Sequence, residues 1–449
     1  MTRERNGSRD TGPLSWLPAL PRPSYLSAIK TSRLISTRPA RVCAGWLAFG
    51  ASLGLLSAAD WPQLHGPTRN GVYPGTDLAT AWPKDGPVVR WQKPAGHGFA
   101  GPVVSGGKVI LFQRVGDEEV VQALAAKTGQ EQWRFGYPTA YVDRFNFDPG
   151  PRAVPAVAGG KVFTFGAEGA LHCLDLTTGA KVWGVATKRE FGARLGFFGL
   201  ACSPLVEGKA VLVNLGGPDG AGIVAFDTAT GKVLWKATDD EASYASPVAA
   251  TLGGRRLALF LTRGQLVGLD AANGQVAFDF PFRPPMDASV TAASPLVVGD
   301  TIFVSASYGT GATVLRVAGG KLEKLWASDE VLSSQYASVV ERDGFLYGFD
   351  GRVDTGPKPS LRCVELATGK VRWSKEGFGG GTLLRAGDQL LALTERGELV
   401  RVKAAPTSYQ ELARAQVVPF VRAHPALAGG LFYTRSKDKL FCLDLRSQP

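Results

Sequence analysis

The groups in this chain that could do chemistry gather in four long segments, Gly136–Ala153, Ala186–Ala201, Asp279–Ala293 and Gly348–Leu361. The first carries Asp143, Arg144, Asp148 and Arg152, and the second carries Lys188, Arg189, Glu190 and Arg194. Later stretches add Tyr244, Arg283, Asp287, Gln335, Tyr336, Arg352 and Asp354. Arginine and aromatic side chains converging on loops are the types that dominate protein recognition. A carboxylate such as Asp143 or Asp287 could instead act as the acid or base of a hydrolase or lyase. A third reading has the charges neutralise one another and brace the loops. The candidates for ligand or partner binding are Asp143, Arg144, Asp148, Arg152, Arg189, Arg194, Tyr244, Asp287, Gln335, Tyr336 and Arg352. Phe145, Phe147, Phe197 and Phe198 read as anchors of their loops.

Metal and nucleophile signatures are missing from the sequence. The four histidines, His65, His97, His172 and His424, include no two at ligand spacing. There is no H-E-x-x-H, P-loop or G-x-S-x-G motif. His97 and His172 read as structural residues. Cys43, Cys173, Cys202, Cys363 and Cys442 form no C-x-x-C pair and read as small buried apolar groups.

What must position the loops is a repeat. Segments like AFDTATGKVLW (Ala225–Trp235) recur, and their closing rings at Trp91, Trp133, Trp183, Trp235, Phe278, Trp326 and Trp373 are 42, 50, 52, 43, 48 and 47 residues apart. Each copy reads as two strands joined by a tight turn, which is Thr-Gly or Asn-Gly at Thr128-Gly129, Thr178-Gly179, Thr230-Gly231, Asn273-Gly274 and Thr368-Gly369, where glycine supplies positive φ. A second hairpin precedes it, as in the segments beginning Cys202-Ser203-Pro204, Ala245-Ser246-Pro247 and Ala293-Ser294-Pro295. Four short strands per repeat are the blade of a β-propeller.

The expected fold is therefore all-β, an eight-bladed propeller of four-stranded antiparallel blades. Blades begin near Pro102, Ala153, Cys202, Ala245, Ala293, Ala337, Gly380 and Val421. The eighth runs out after three strands, so Gly86–Gln92, with Trp91 at the ring position, is expected to supply its fourth and close the ring. Turns between third and fourth strands, all short, should emerge on one face, and the long segments on the other.

The pattern A-x-D-x-x-T-G-K-x-x-W resembles the tryptophan-docking repeat of the pyrroloquinoline-quinone (PQQ) propellers. Ala225, Asp227, Thr230, Gly231, Lys232 and Trp235 match it throughout, and the resemblance extends over about residues 86–445. It implies a scaffold in which the aspartate and threonine brace the turn and the indole docks between blades. Quinoprotein alcohol dehydrogenases of this family carry a disulfide of adjacent cysteines, a catalytic aspartate and calcium ligands. No Cys-Cys pair exists here, and no cofactor is expected.

The chain also resembles the non-enzymatic branch related to the outer-membrane assembly propeller lipoprotein, although Cys43 follows Pro39-Ala40-Arg41-Val42 rather than a lipobox. That branch implies a propeller that binds another macromolecule through its long-loop face without catalysis. The alternative is a quinoprotein-like oxidoreductase holding PQQ and calcium, or a related planar ligand, near the axis.

Residues 1–59 read as a signal or presequence, 60–85 as an extension and 86–449 as the propeller. Arg33, Arg38 and Arg41 precede the apolar run Val42–Leu56, and cleavage is expected between Ala59 and Asp60. The run is short for a membrane span. The expected location is thus periplasmic or secreted, as a monomer. The chain's net charge is +11, of which residues 1–59 contribute +6 (8 Lys+Arg against 2 Asp+Glu). The remaining +5 argues against a nucleic-acid partner.

Overall fold

A computed structural model describes residues 60–446; the proposed signal segment, its cleavage site and Cys43 lie outside the described residues. Eight antiparallel sheets are arranged as the blades of a propeller, and seven of them take all four principal strands in sequence order from the axis outward. Their innermost strands begin at Val103, Ala156, Leu205, Val248, Leu296, Val340, Gly381 and Ala426, close to the expected blade starts. The only α-helix among the described residues is the single turn Thr187–Phe191.

Each blade is built from a change in hydrophobic pattern. Second and third strands, such as Ala210–Asn214 and Ile223–Asp227, are buried nearly throughout, because neighbouring blades cover both faces. In the outer strand Val233–Ala237, by contrast, Trp235 is buried between exposed neighbours. The cores therefore lie between blades: Phe163 and Trp183 of blade 2 pack with Val211 and Phe226 of blade 3.

The ring tryptophans join successive blades by a repeated contact. The indole N–H of Trp91 donates to Ala126 O (3.0 Å), Trp133 to Leu176 O (2.9 Å), Trp183 to Thr228 O (3.2 Å) and Trp326 to Leu366 O (2.8 Å). The same indoles lie on the turn glycines of the next blade. At Gly231, where φ is +72°, a Cβ would come within 2.7 Å of the Trp183 ring. Glycine is needed there for two reasons, the backbone conformation and the seat for the preceding ring. Asp227 braces this turn by accepting from Ala229 N, Thr230 N and the Thr230 hydroxyl.

Ring closure follows the sequence expectation. Strand Val88–Pro94 pairs antiparallel with Lys439–Asp444, setting Trp91 opposite Cys442. Asp444 accepts from Arg90 Nε (2.7 Å) and Arg446 Nε (2.8 Å), and these guanidinium bonds hold its carboxyl well below the usual range. Cys173, Cys363 and Cys442 are buried and unpaired, and each sits across a strand pair from a docking tryptophan.

Two features depart from the expected picture. The turn between the third and fourth strands is not short in every blade, because in blade 7 it spans residues 404–410, between Glu398–Lys403 and Glu411–Gln416. That blade has Ala413 where others carry the ring, opposite Arg401. The buried Arg401 guanidinium lies 5.2 Å from the Trp82 ring centre, so the chain segment before the closing strand supplies the missing aromatic.

The second departure is the path of residues 60–73, which run across the inner ends of the blades. Trp61 exchanges backbone hydrogen bonds with Val104 of blade 1, and Pro62 O accepts from Val157 N of blade 2. Val72–Tyr73 adds a parallel fifth strand inside blade 7, at Arg385 and Ala386. Inner strand edges that would otherwise lack partners are thereby satisfied.

Candidate functional site

Serines at the start of the blades, Ser203, Ser246 and Ser294 in Ser-Pro steps and Ser338 before Val339, meet around the axis. Val154 N donates to Ser203 Oγ (2.9 Å), Ser203 N to Ser246 Oγ (3.0 Å) and Ser294 N to Ser338 Oγ (3.0 Å). Each hydroxyl ties one blade to its neighbour. Above them, on the long-loop face, opens a pocket of about 490 Å³ walled by aromatic rings from several blades. Phe99, Phe147, Phe198, Tyr244, Tyr308 and Tyr336 contribute to it, and Leu64, His65 and His424 are also among its lining.

Long loops hold these rings through carboxylates. Asp143 is buried and accepts from Phe145 N (2.9 Å), Phe147 N (3.1 Å) and Asp148 N (2.8 Å), and from Arg152 Nη2 (3.0 Å). Burial pushes this carboxyl up, but the three backbone donors and Arg152 outweigh it and leave the group below its usual value. Arg152 in turn lies 5.4 Å from the Phe99 ring centre and 5.1 Å from that of Phe198. The arrangement recurs around the mouth. Arg422 pairs with Glu395 (2.7 Å), which also accepts from Tyr336 Oη (3.2 Å). Arg352 makes two 2.9 Å bonds to Asp354 and lies 4.1 Å from the Tyr308 ring centre. Gln335 donates to Tyr308 Oη (2.9 Å) and accepts from Val353 N (2.9 Å).

Of the residues singled out from sequence, Arg152, Tyr244, Gln335, Tyr336 and Asp354 line this pocket. Asp143 and Arg352 stand behind it as partners of lining groups. Asp148 accepts from Gly150 N (2.8 Å) and lies 3.6 Å from His97 Nδ1. The others lie elsewhere. Arg144 covers Phe197 on the outer side of the loop (5.1 Å), Arg189 pairs with Glu190 (3.2 Å) and Asp287 pairs with Arg283 (2.9 Å). Arg194 is exposed. The four phenylalanines cluster as anchors would, yet Phe145 and Phe147 remain 52% and 60% exposed and Phe147 and Phe198 face the pocket.

Sequence reasoning passed over His65 and His424. They are far apart in the chain and at no recognisable spacing, but their rings meet edge to face 4.6 Å apart beside the pocket. Burial lowers His424 to about 4, and burial, with the charges of His424 and Arg69, lowers His65 well below its usual value. Both are neutral at pH 7. An unfolded histidine takes up its proton near pH 6.5, so their contribution to stability is complete above that pH and is lost as pH falls toward about 4. The urea midpoint should decline over this window, and less steeply in His424→Gln; parallel declines would show that the pair is not the acid-sensitive element.

The arginines around the mouth are each neutralised by a carboxylate of the chain. Among the described residues no group of three or more His, Cys, Asp or Glu side chains is placed to hold a metal ion. Asp143, Asp354 and Glu395 are engaged with these arginines as loop braces.

Comparison with known proteins places the fold. Residues 117–375 match a family described as "Outer membrane protein assembly factor BamB". The protein so named from Burkholderia pseudomallei (strain K96243) is 25% identical over 256 residues, which cover 46% of this chain and 61% of that protein. This chain thus spans less than two thirds of that relative. Among solved structures, BamB from Moraxella catarrhalis superposes with a TM-score of 0.60 at 15% identity, over 81% of this chain and 98% of that one. Quinohemoprotein alcohol dehydrogenase from Comamonas testosteroni also gives 0.60, at 16% identity, over 87% and 81% of the two chains. At such identities the structural likeness is one of fold.

Proposed function

Because the chain belongs to the family of the outer membrane protein assembly factor BamB, we propose that it is an exported, monomeric scaffold that binds another protein through its long-loop face, without catalysis or a bound cofactor. The observation that carries this reading is the exposed aromatic ridge of Phe145 and Phe147 beside the axial pocket. The ridge is held out by the bonds that Asp143 accepts from the loop backbone, not by burial of its own rings. Rigid aromatic groups flanked by arginine bind a partner with little loss of side-chain freedom. No helix among the described residues is long and apolar enough to cross a membrane, which is compatible with an exported scaffold.

The test is a comparison of the intact chain with a Phe145→Asp, Phe147→Asp variant, both cross-linked in the native cell and purified. Because both side chains are largely exposed, the variant should unfold within about 0.5 kcal/mol of the wild type. It should lose the cross-linked partner. Recovery of the same partner in the same yield would remove this face from the account.

A further inference from the structure

Beside the axial pocket, between blades 8 and 1, lies a second recess of about 350 Å³ that shares Phe99, Phe147 and Arg422 with it. Phe147 and Phe420 stand at its sides 60% and 48% exposed, and Arg435 and Lys437 contribute the positive charge. The Arg435 side chain is 1% exposed. Its Nη2 donates to Gly96 O and its Nε to Ser436 O (3.4 Å), while Nη1 has no partner. Burial lowers this guanidinium to about 10, so it remains charged at neutral pH.

Asp148 is the one carboxylate lining the recess; it accepts from Gly150 N, lies 3.6 Å from His97 Nδ1 and supports the charge of Arg435 through space, without a hydrogen bond to its Nη1. The contrast with Arg69 is informative, since that buried guanidinium has an acceptor for each of its three nitrogens. A buried cation with an unused donor is stabilised by an arriving anion, and a carboxylate matches its geometry.

We propose that the two recesses form one peptide-binding groove, in which Arg435 and Lys437 take the carboxylate of an acidic residue in a partner segment while the axial pocket takes an adjacent aromatic side chain. The axial pocket suits the uncharged half of such a segment because its mouth arginines are already paired. The inference rests on the protein-binding reading and specifies the chemistry of the partner.

The experiment uses the mature chain and three fluorescein-labelled peptide amides, Gly-Ser-Phe-Asp-Ser-Gly and its forms with Asn for Asp or Ala for Phe, followed by fluorescence anisotropy. The Phe-Asp peptide should bind saturably and each replacement should weaken it about tenfold or more, the scale of one lost charge-assisted bond or one buried ring. Lys437→Ala, at an exposed position, should weaken the Phe-Asp peptide several-fold and leave the Asn peptide unchanged. Arg435→Gln should abolish the preference for Asp over Asn, provided its circular dichroism matches the wild type. Equal affinity for the three peptides, or binding of none, overturns the proposal. In that event, capture of a partner that still depends on Phe145 and Phe147 would leave the protein-binding reading standing.

Discussion

A chain lacking residues 60–92 should lose its cooperative unfolding transition altogether. The deletion removes the fourth strand of blade 8, leaving Lys439–Asp444 as an open edge. It also removes the Trp91 ring, which is 8% exposed and bonded through its N–H to Ala126 of blade 1. Truncating a buried tryptophan costs about 3–5 kcal/mol by itself, against a total stability of about 5–15 kcal/mol for an ordinary domain. The inner-edge bonds of Trp61, Pro62 and Gly71 disappear as well. Trp91→Ala alone should lower stability by about 3 kcal/mol or more, read from urea unfolding. An unchanged midpoint in either protein would show that the amino-terminal strand closes nothing.

The second large effect is expected at Arg69, at the centre of the axial segment. This residue is 5% exposed and has φ of +55°, a conformation that its bonds maintain. Its Nη1 donates to Pro247 O of blade 4 (2.8 Å), its Nη2 to Pro204 O of blade 3 and its Nε to Gln63 Oε1 (2.8 Å). Arg69→Met should destabilise the fold by about 3 kcal/mol, because two buried carbonyls lose a charged donor and gain no other. Removing the guanidinium also removes the cost of burying it, which lowers its pKa to about 10. A variant as stable as the wild type would mean that these terms cancel and that the segment is a passenger in the channel. Arg69→Lys, which keeps the charge but has fewer and differently placed donors, should fall between the two.

The parts of the fold that were readable in the sequence are those set by a repeated local rule. Blade number, strand order and the closing role of Trp91 follow from the spacing of the rings and the Thr-Gly turns. The Ser-Pro triplets were visible too, but their role was not, because Ser203 and Ser246 acquire partners only when neighbouring blades meet. The axial segment has no repeat and only a two-residue strand, Val72–Tyr73, and its course is set by carbonyls of blades far along the chain.

The candidate site divides in the same way. Asp143 and Arg152 lie nine residues apart on one loop and could be paired by inspection. The grouping of Tyr336, Glu395 and Arg422 draws on separate blades, and the contact of His65 with His424 joins the segment 60–73 to the start of blade 8. The sequence located the long-loop face through the length and residue types of its connections. It could not separate residues that wall the pocket, such as Tyr244, from neighbours such as Arg189 and Asp287 that face solvent, because alternation is lost once the chain leaves the strands.

The most direct test of the account is site-specific photocross-linking from the two faces of the propeller. A photoreactive phenylalanine replaces Phe147 on the long-loop face in one protein and Thr230, in a short turn of the opposite face, in another. The account predicts a discrete cross-linked protein adduct from position 147 and none from position 230. Adducts from position 230 alone, or equal adducts from both, would contradict the assignment of binding to the long-loop face.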